Sequence, residues 1–274
     1  MKNLLDLTLN ERMFALFIGR SGSGKSAAAS SFEHPYHELD FDLRAGGILD
    51  WAKKGKVDGT TITVQQFMPR GGWAPVDKHL EELRNKIPAG AFRIKTIGLG
   101  SITNMVRLFN LTSVRLKGGM PNKNQTMVDG FALTDGADYK FESQATHAVF
   151  DYLRMFPCNI IATAHIAERW GKRPSAGRFD PAEVLGEKLT ITAQLGENIQ
   201  TYFDNVFRFS KEIIKNKVTY FVEFATDIAK NSYGLPPGRF DITDKNFAEE
   251  FARLNALNTK GELESPNDDN FSMI

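Results

Sequence analysis

The segment "FIGRSGSGKS", Phe17 to Ser26, constrains this chain more than any other. Gly19, Gly24, Lys25 and Ser26 satisfy the pattern G-x-x-x-x-G-K-[ST] in full. Glycines let the backbone curl so that successive N–H groups face a phosphate, while the helix that follows presents its positive end. Such a loop must lie between a buried strand and a helix. The apolar run "RMFALFIG" before it and the alanine-rich "KSAAASSF" after it supply both. Lys25 is expected to reach the β- and γ-phosphates of ATP, and the Ser26 hydroxyl to ligate Mg²⁺. Gly19, Arg20, Ser21, Gly22, Ser23, Gly24 and Ala27 complete the expected cradle.

The rest of the chain alternates in the same way. "YHELDFD" (Tyr36 to Asp42) reads as a strand ending in carboxylates, and "TTITVQQF" (Thr60 to Phe67) as a β-branched strand. "FRIKTIGL" and "CNIIATAH" are buried strands, with a helically spaced segment, "DYKFESQATHAVFDYLRMF", between them. Strands alternating with helices predict a mostly parallel sheet flanked by helices. "YFDNVFRFSKEIIKNKVTYFVEFA" predicts an antiparallel C-terminal β-hairpin, and "DKNFAEEFARLNAL" a short amphipathic helix. One domain is expected over residues 1–257, with a polar, disordered acidic tail over 258–274. Two long loops are expected, Thr112 to Ala137 and Ala167 to Lys188; loops of that length usually bind something or are disordered.

A phosphate loop of this kind is usually served by an acid at the end of a second apolar strand, which supports the metal. "TIGLGSIT" has that strand and the serine after it, but Gly100 stands at the strand end. Either a neighbouring carboxylate substitutes, or ATP is bound and hydrolysed slowly. Asp40 and Asp42 are the candidates by topology, for metal support or for orienting water. Glu38 is the weaker one, because it falls inside the strand.

The bulk composition excludes several classes. With 34 basic and 33 acidic residues the net charge is +1, so binding to nucleic acid has to come from local patches. A single cysteine, Cys158, permits no internal disulfide and no thiolate cluster. No apolar run is long enough for a membrane span, and a cytoplasmic protein with no membrane partner is expected.

Taken in order, "GRSGSGKS", "ELDFD", "IKTIGLGSIT", "DYKFESQATHAVFDYLRMFPCNIIATAH", "TYFDNVFRF" and "AKNSYGLPPG" resemble the phage RecA-core ATPases, over about Arg12 to Phe247. These are nucleotide-binding proteins associated with single-strand annealing and recombination. The resemblance implies a RecA-like P-loop core and a homo-oligomer. It places a γ-phosphate sensor at His165, which ends the "IIATAH" strand, and matches Asp40 and Asp42 to the family's acidic strand end. It matches Lys230 to a lysine that contacts nucleotide across a subunit boundary. Ser232 and Gly100 depart from the family's arginine and aspartate.

In RecA-core proteins the loop after the sensor strand touches DNA. Here it carries Arg169, Trp170, Lys172, Arg173 and Arg178, cations for phosphates and an aromatic for base stacking. Single-stranded DNA is therefore the expected partner, with Arg115, Lys117 and Lys123 of the other long loop as a second line of contact. The acidic tail suggests recruitment of a single-strand-binding or replication protein. The alternatives are a non-hydrolysing regulatory binder, which Gly100 favours, and a small-molecule kinase built on the same phosphate loop.

Overall fold

The computed structural model describes residues 12–68, 71–116, 127–128, 131–132, 136–171, 183–191, 193–226 and 228–263. The chain runs β1 (Phe14–Gly19), α1 (Lys25–Ser30), β2 (Tyr36–Asp40), α2 (Gly46–Lys53), β3 (Ile62–Gln66) and α3 (Ala74–Asn85). There follow β4 (Thr96–Gly100), α4 (Ile102–Leu116), a two-residue pair β5 (Met127–Val128) and β6 (Phe131–Ala132), and α5 (Gly136–Leu153). The second half comprises β7 (Asn159–Gly171), β8 (Glu183–Leu189), α6 (Ala193–Asn198), β9 (Asn205–Ile214), β10 (Lys217–Glu223), β11 (Arg239–Asp241) and α7 (Phe247–Thr259).

One sheet organises these elements. Its order is β11-β10-β9-β1-β7-β4-β2-β3, with β8 paired to the far end of β7. β1, β2, β3, β4, β7 and β9 run parallel, whereas β10 and β11 join antiparallel to β9. Every residue of β1 is buried, as an interior parallel strand covered on both faces requires. Its side chains alternate between two cores. Leu16 and Ile18 join Leu39, Leu99 and Ala162 beneath α3, α4 and α5. Ala15 and Phe17 join Phe207, Phe209 and Val222 beneath α1 and α7. This is the expected α/β class with its antiparallel C-terminal hairpin. The strand before the glycine-rich loop lies at the centre, separated from β4 by β7.

Three sequence expectations change. The loop expected over Ala167 to Lys188 is ordered at both ends: β7 continues to Gly171 and pairs antiparallel with β8, with a bulge between Arg169 and Trp170. Alternating "HIAERW" and "EVLGEKL" can satisfy each other's backbone groups in a ribbon, which glycine and proline content alone conceals. The loop expected over Thr112 to Ala137 is shortened by α4, which runs to Leu116, and by α5, which begins at Gly136. Finally, α7 continues to Thr259, past the expected tail boundary. Asn258 donates through Nδ2 to the Tyr233 carbonyl (3.0 Å), and Leu263 packs against the second core. Residues 264–274 lie outside the described residues.

The second core is largely aromatic. Phe207 is fully buried, with ring centroids 5.6 Å from Phe17, 5.0 Å from Phe224 and 5.4 Å from Phe251. Removing a buried phenyl ring costs both transfer energy and a cavity. Phe207→Ala is therefore expected to destabilise the chain by about 3–5 kcal/mol in urea unfolding. A loss below about 1 kcal/mol, the range of well-tolerated changes, would contradict this packing.

Candidate functional site

The carboxyl ends of β1, β2 and β7 meet at a cavity of about 320 Å³. Open α/β sheets bind ligands at this edge. Its lining combines two chemistries. The phosphate loop from Ser21 to Ser26 lines it together with Asp42, Arg44, Asp50, Thr163 and His165, and so do Trp51, Tyr220, Ile242 and Phe247. Charged and polar groups together with aromatic and aliphatic ones suit an anionic ligand with an aromatic head, such as a nucleotide.

The loop takes its shape from glycine. Gly22 and Gly24 have φ of 73° and 91°, in the left-handed region that side chains disfavour, and the Tyr220 ring closes over Gly24. α1 is held to six residues, and the hydroxyls of Ser30 and Ser31 donate back to the carbonyls of Ala27 and Ala28 at its end. Lys25 is 5% exposed; its Nζ donates to the carbonyls of Gly19 (2.9 Å) and Arg20 (2.8 Å). Burial lowers the Lys25 pKa to about 8, partly opposed by the negative charge of Asp42. Arg20 leaves the loop sideways and pairs with Glu168 at the foot of the ribbon.

The three acids of "ELDFD" have three different environments. Asp40 does not line the cavity. Its Oδ1 accepts from the backbone N–H groups of Asp42 (3.1 Å) and Arg44 (3.2 Å), and its Oδ2 from Gln66 Nε2 (3.0 Å). The alternation of β2 turns Asp40 into the layer under the loop, where it fixes the turn after the strand. Asp42 does line the cavity. It accepts from Ser101 Oγ (2.8 Å) and Asn104 Nδ2 (2.6 Å), and pairs with His165 Nε2 at 3.3 Å. Glu38 is buried, accepts a hydrogen bond from the Tyr36 hydroxyl, and is pushed up to about 8. Burial is the main cause; the Tyr36 bond opposes it, and the charges of Asp40 and Asp42 add to it.

His165 is fixed from its backbone outwards. Its N–H donates to Thr103 Oγ1 (3.1 Å), and its carbonyl accepts from Thr190 N–H (2.8 Å), just beyond β8. One residue thus touches Asp42, the start of α4 and the ribbon. The ribbon is clamped again from the hairpin. Arg208 forms a bidentate pair with Glu187 of β8 (2.6 and 2.9 Å) and reaches Glu223 of β10 (2.7 Å).

The other expected site residues scatter. Lys230 is exposed and bridges the backbone of Val206 near the start of β9, away from the lining of its own chain's cavity. Arg169 is exposed on the β7 extension, and Trp170 follows it in the same strand. Lys172, Arg173 and Arg178, with Lys117 and Lys123, lie outside the described residues. Sequence reasoning missed Arg44, Trp51, Tyr220, Ser101 and Asn104. Only Ser101 and Asn104 left a signal, as polar residues opening a helix directly after a strand.

The donor set accommodates Mg²⁺. Ser26 and Asp42 both line the cavity and offer the hard oxygen atoms that this ion prefers.

No family model matches the sequence, and no curated protein matches it. Among solved structures, the chain is similar to a KaiC-like protein from the hyperthermophilic archaeon Pyrococcus horikoshii, with 12% identity and a TM-score of 0.39. That similarity covers 86% of this chain and 87% of the other. Among the described residues, no helix is long and apolar enough to cross a membrane.

Burial alone would raise the Asp42 pKa, but the hydrogen bonds from His165, Ser101 and Asn104 outweigh it and lower it to about 2. The unfolded chain titrates higher, near about 3.9. The stabilisation from this carboxylate is therefore complete above the unfolded value and is lost as pH falls towards about 2. In Asp42→Asn, the acid limb of unfolding free energy against pH should become shallower over that window. A limb parallel to that of the wild-type chain would show that Asp42 is not held as an ionised acceptor.

Proposed function

We propose that this chain is a P-loop ATPase whose nucleotide state controls its grip on single-stranded DNA, acting in annealing or recombination as a homo-oligomer. The observation that carries the reading is the convergence of Lys25, Ser26, Asp42 and His165 on one cavity, with His165 at the root of a ribbon that bears Arg169. The aromatic and aliphatic side chains of the lining are suited to the base, and the loop amides and Lys25 to the phosphates. Mg²⁺, when bound, neutralises phosphate charge. Asp42 stays ionised at neutral pH and is placed to orient water, while His165 senses the terminal phosphate through its partnership with Asp42. A change there reaches the ribbon by two routes, through the backbone of β7 and through Arg20 and Glu168.

A two-state element biased by both ligands is what coupling between sites requires. Single-stranded DNA should bind several-fold more tightly with a non-hydrolysable ATP analogue and Mg²⁺ than without them, at matched salt. Lys25→Ala should abolish that difference. Equal affinity with and without analogue would remove the coupling. Asp42→Asn should lower ATP turnover by about 10²-fold, the scale of losing a group that positions a reactant.

Gly100 favours a second reading, a slow or non-hydrolysing nucleotide switch. It predicts undiminished ATP binding with negligible turnover in the wild-type chain, and no further loss in Asp42→Asn. The phage association, and recruitment of a single-strand-binding or replication protein by the tail, belong to this proposal through the sequence resemblance alone.

A further inference from the structure

We propose that a second cavity, across the sheet from the nucleotide site, takes one base of a single-stranded nucleic acid, with Arg169 and Lys188 holding the phosphates on either side of it. This rests on the DNA-binding reading above and deepens it by naming where the strand is gripped.

The cavity measures about 500 Å³. Three buried aliphatic side chains line it: Ile18 of β1, Ile166 of β7 and Leu189 of β8. All three belong to the first core, whereas α1 covers the second, so this cavity opens on the other face of the sheet. Ile18 is the chain neighbour of Gly19, where the phosphate loop starts, and Ile166 that of His165. Gly19 and His165 are themselves paired in register. The two cavities stand back to back at the same strand ends.

Gly196 leaves this space its width. It sits inside α6, where glycine is a poor helix former. A Cβ there would meet Ile191 Cγ1 at 3.6 Å and Leu189 Cβ at 3.8 Å, which is ordinary contact. Packing therefore admits a side chain at position 196, next to two residues of the lining.

The charges define the ligand. Arg169 and Lys188 line the cavity, both are exposed, and among the described residues neither has an ion-pair partner. Glu187, the acid of the lining, is taken by Arg208. A cationic cavity with aliphatic walls fits an anion with an apolar body. In the ribbon Arg169 stands opposite Gly186 and Lys188 opposite Ala167, which makes the two cations diagonal neighbours, about 7 Å apart at Cβ. An anion with a single head group needs one cation. A nucleotide within a strand carries a phosphate on each side of its base, and one cation from each strand of the ribbon meets that demand. Aliphatic walls receive the face of any base, so the grip is independent of sequence.

A seated base packs against Ile18 and Ile166, and so bears on Gly19 and His165 from behind. Strand and nucleotide then act on the same two strand ends, which gives their coupling a shared element.

The probe is an oligodeoxyadenylate carrying one 2-aminopurine, whose emission rises when that base leaves its stacked neighbours. It is added to the chain in the presence of a non-hydrolysable ATP analogue and Mg²⁺. Binding should raise the emission several-fold. Gly196→Leu and Ile228→Trp narrow the cavity from two different segments. Each should remove the rise and weaken binding by about tenfold, the scale of one base contact. Their ATP affinity without DNA should stay at the wild-type level, which reports an intact fold; a variant that loses it is replaced by the other. Arg169→Gln combined with Lys188→Gln should lower the slope of log affinity against log salt by about 1.4, the share of two single-strand phosphates. A rise that persists in the cavity variants overturns the base cavity, even where the two charge changes weaken binding. An unaltered slope overturns the phosphate contacts. Displacement of the probe by excess deoxyadenosine monophosphate assigns the cavity to a free nucleotide and overturns the strand reading. If the wild-type chain with analogue binds no oligonucleotide, the DNA reading and the cavity fail together; binding without a rise in emission sinks the cavity alone.

Discussion

The parallel register that sets Gly19 level with His165 on one side and Phe209 on the other is the constraint from which the rest follows. Because β1 is fully buried, its pairing cannot slip by one residue without moving Phe17 and Leu16 into each other's cores. That rigidity fixes where the strand ends, and hence where the loop after Gly19 opens. It also places His165 of β7, far away in sequence, beside the loop without any flexible connection. The site is built on strand ends, with its precision supplied by the sheet.

Electrostatics then separates residues that look alike. Glu38, Asp40 and Asp42 belong to one five-residue segment and carry the same functional group. Asp40 is committed to backbone amides, Asp42 faces the cavity and is held ionised by three donors, and Glu38 is enclosed and driven towards neutrality by burial. Hydrogen-bond donors stabilise a carboxylate where they converge on it, and burial raises its pKa where they do not. One strand thereby supplies a structural clamp, an ionised group at the cavity and a buried acid.

The ribbon extends this logic away from the cavity. β7 carries both His165 at the cavity and the ribbon beyond it, so anything that shifts His165 acts on a continuous backbone. The Arg208 pairs with Glu187 and Glu223 brace the base of the ribbon against the hairpin, and the Arg20–Glu168 pair connects it to the phosphate loop. Partly buried bidentate arginine pairs are geometrically specific, which suits an element whose orientation has to be transmitted.

The sequence by itself determined the phosphate loop, the central strand before it, the alternation that makes the sheet parallel and the hairpin that closes it. Each of these is written in local spacing: a glycine pattern, continuous apolar runs, a polar turn between two strands. It also exposed the missing acid at Gly100. Only the tertiary structure decided which carboxylate faces the cavity: Asp40 and Asp42 share one strand parity and differ in the partners that β3, α4 and β7 bring to them. It likewise decided that the basic loop begins as a ribbon, that Trp51 and Tyr220 line one cavity, and that Tyr36 and Glu38 fill the space above Gly98. Contacts of that kind join residues distant along the chain, and no local periodicity encodes them; they exist only once the strands have been set side by side.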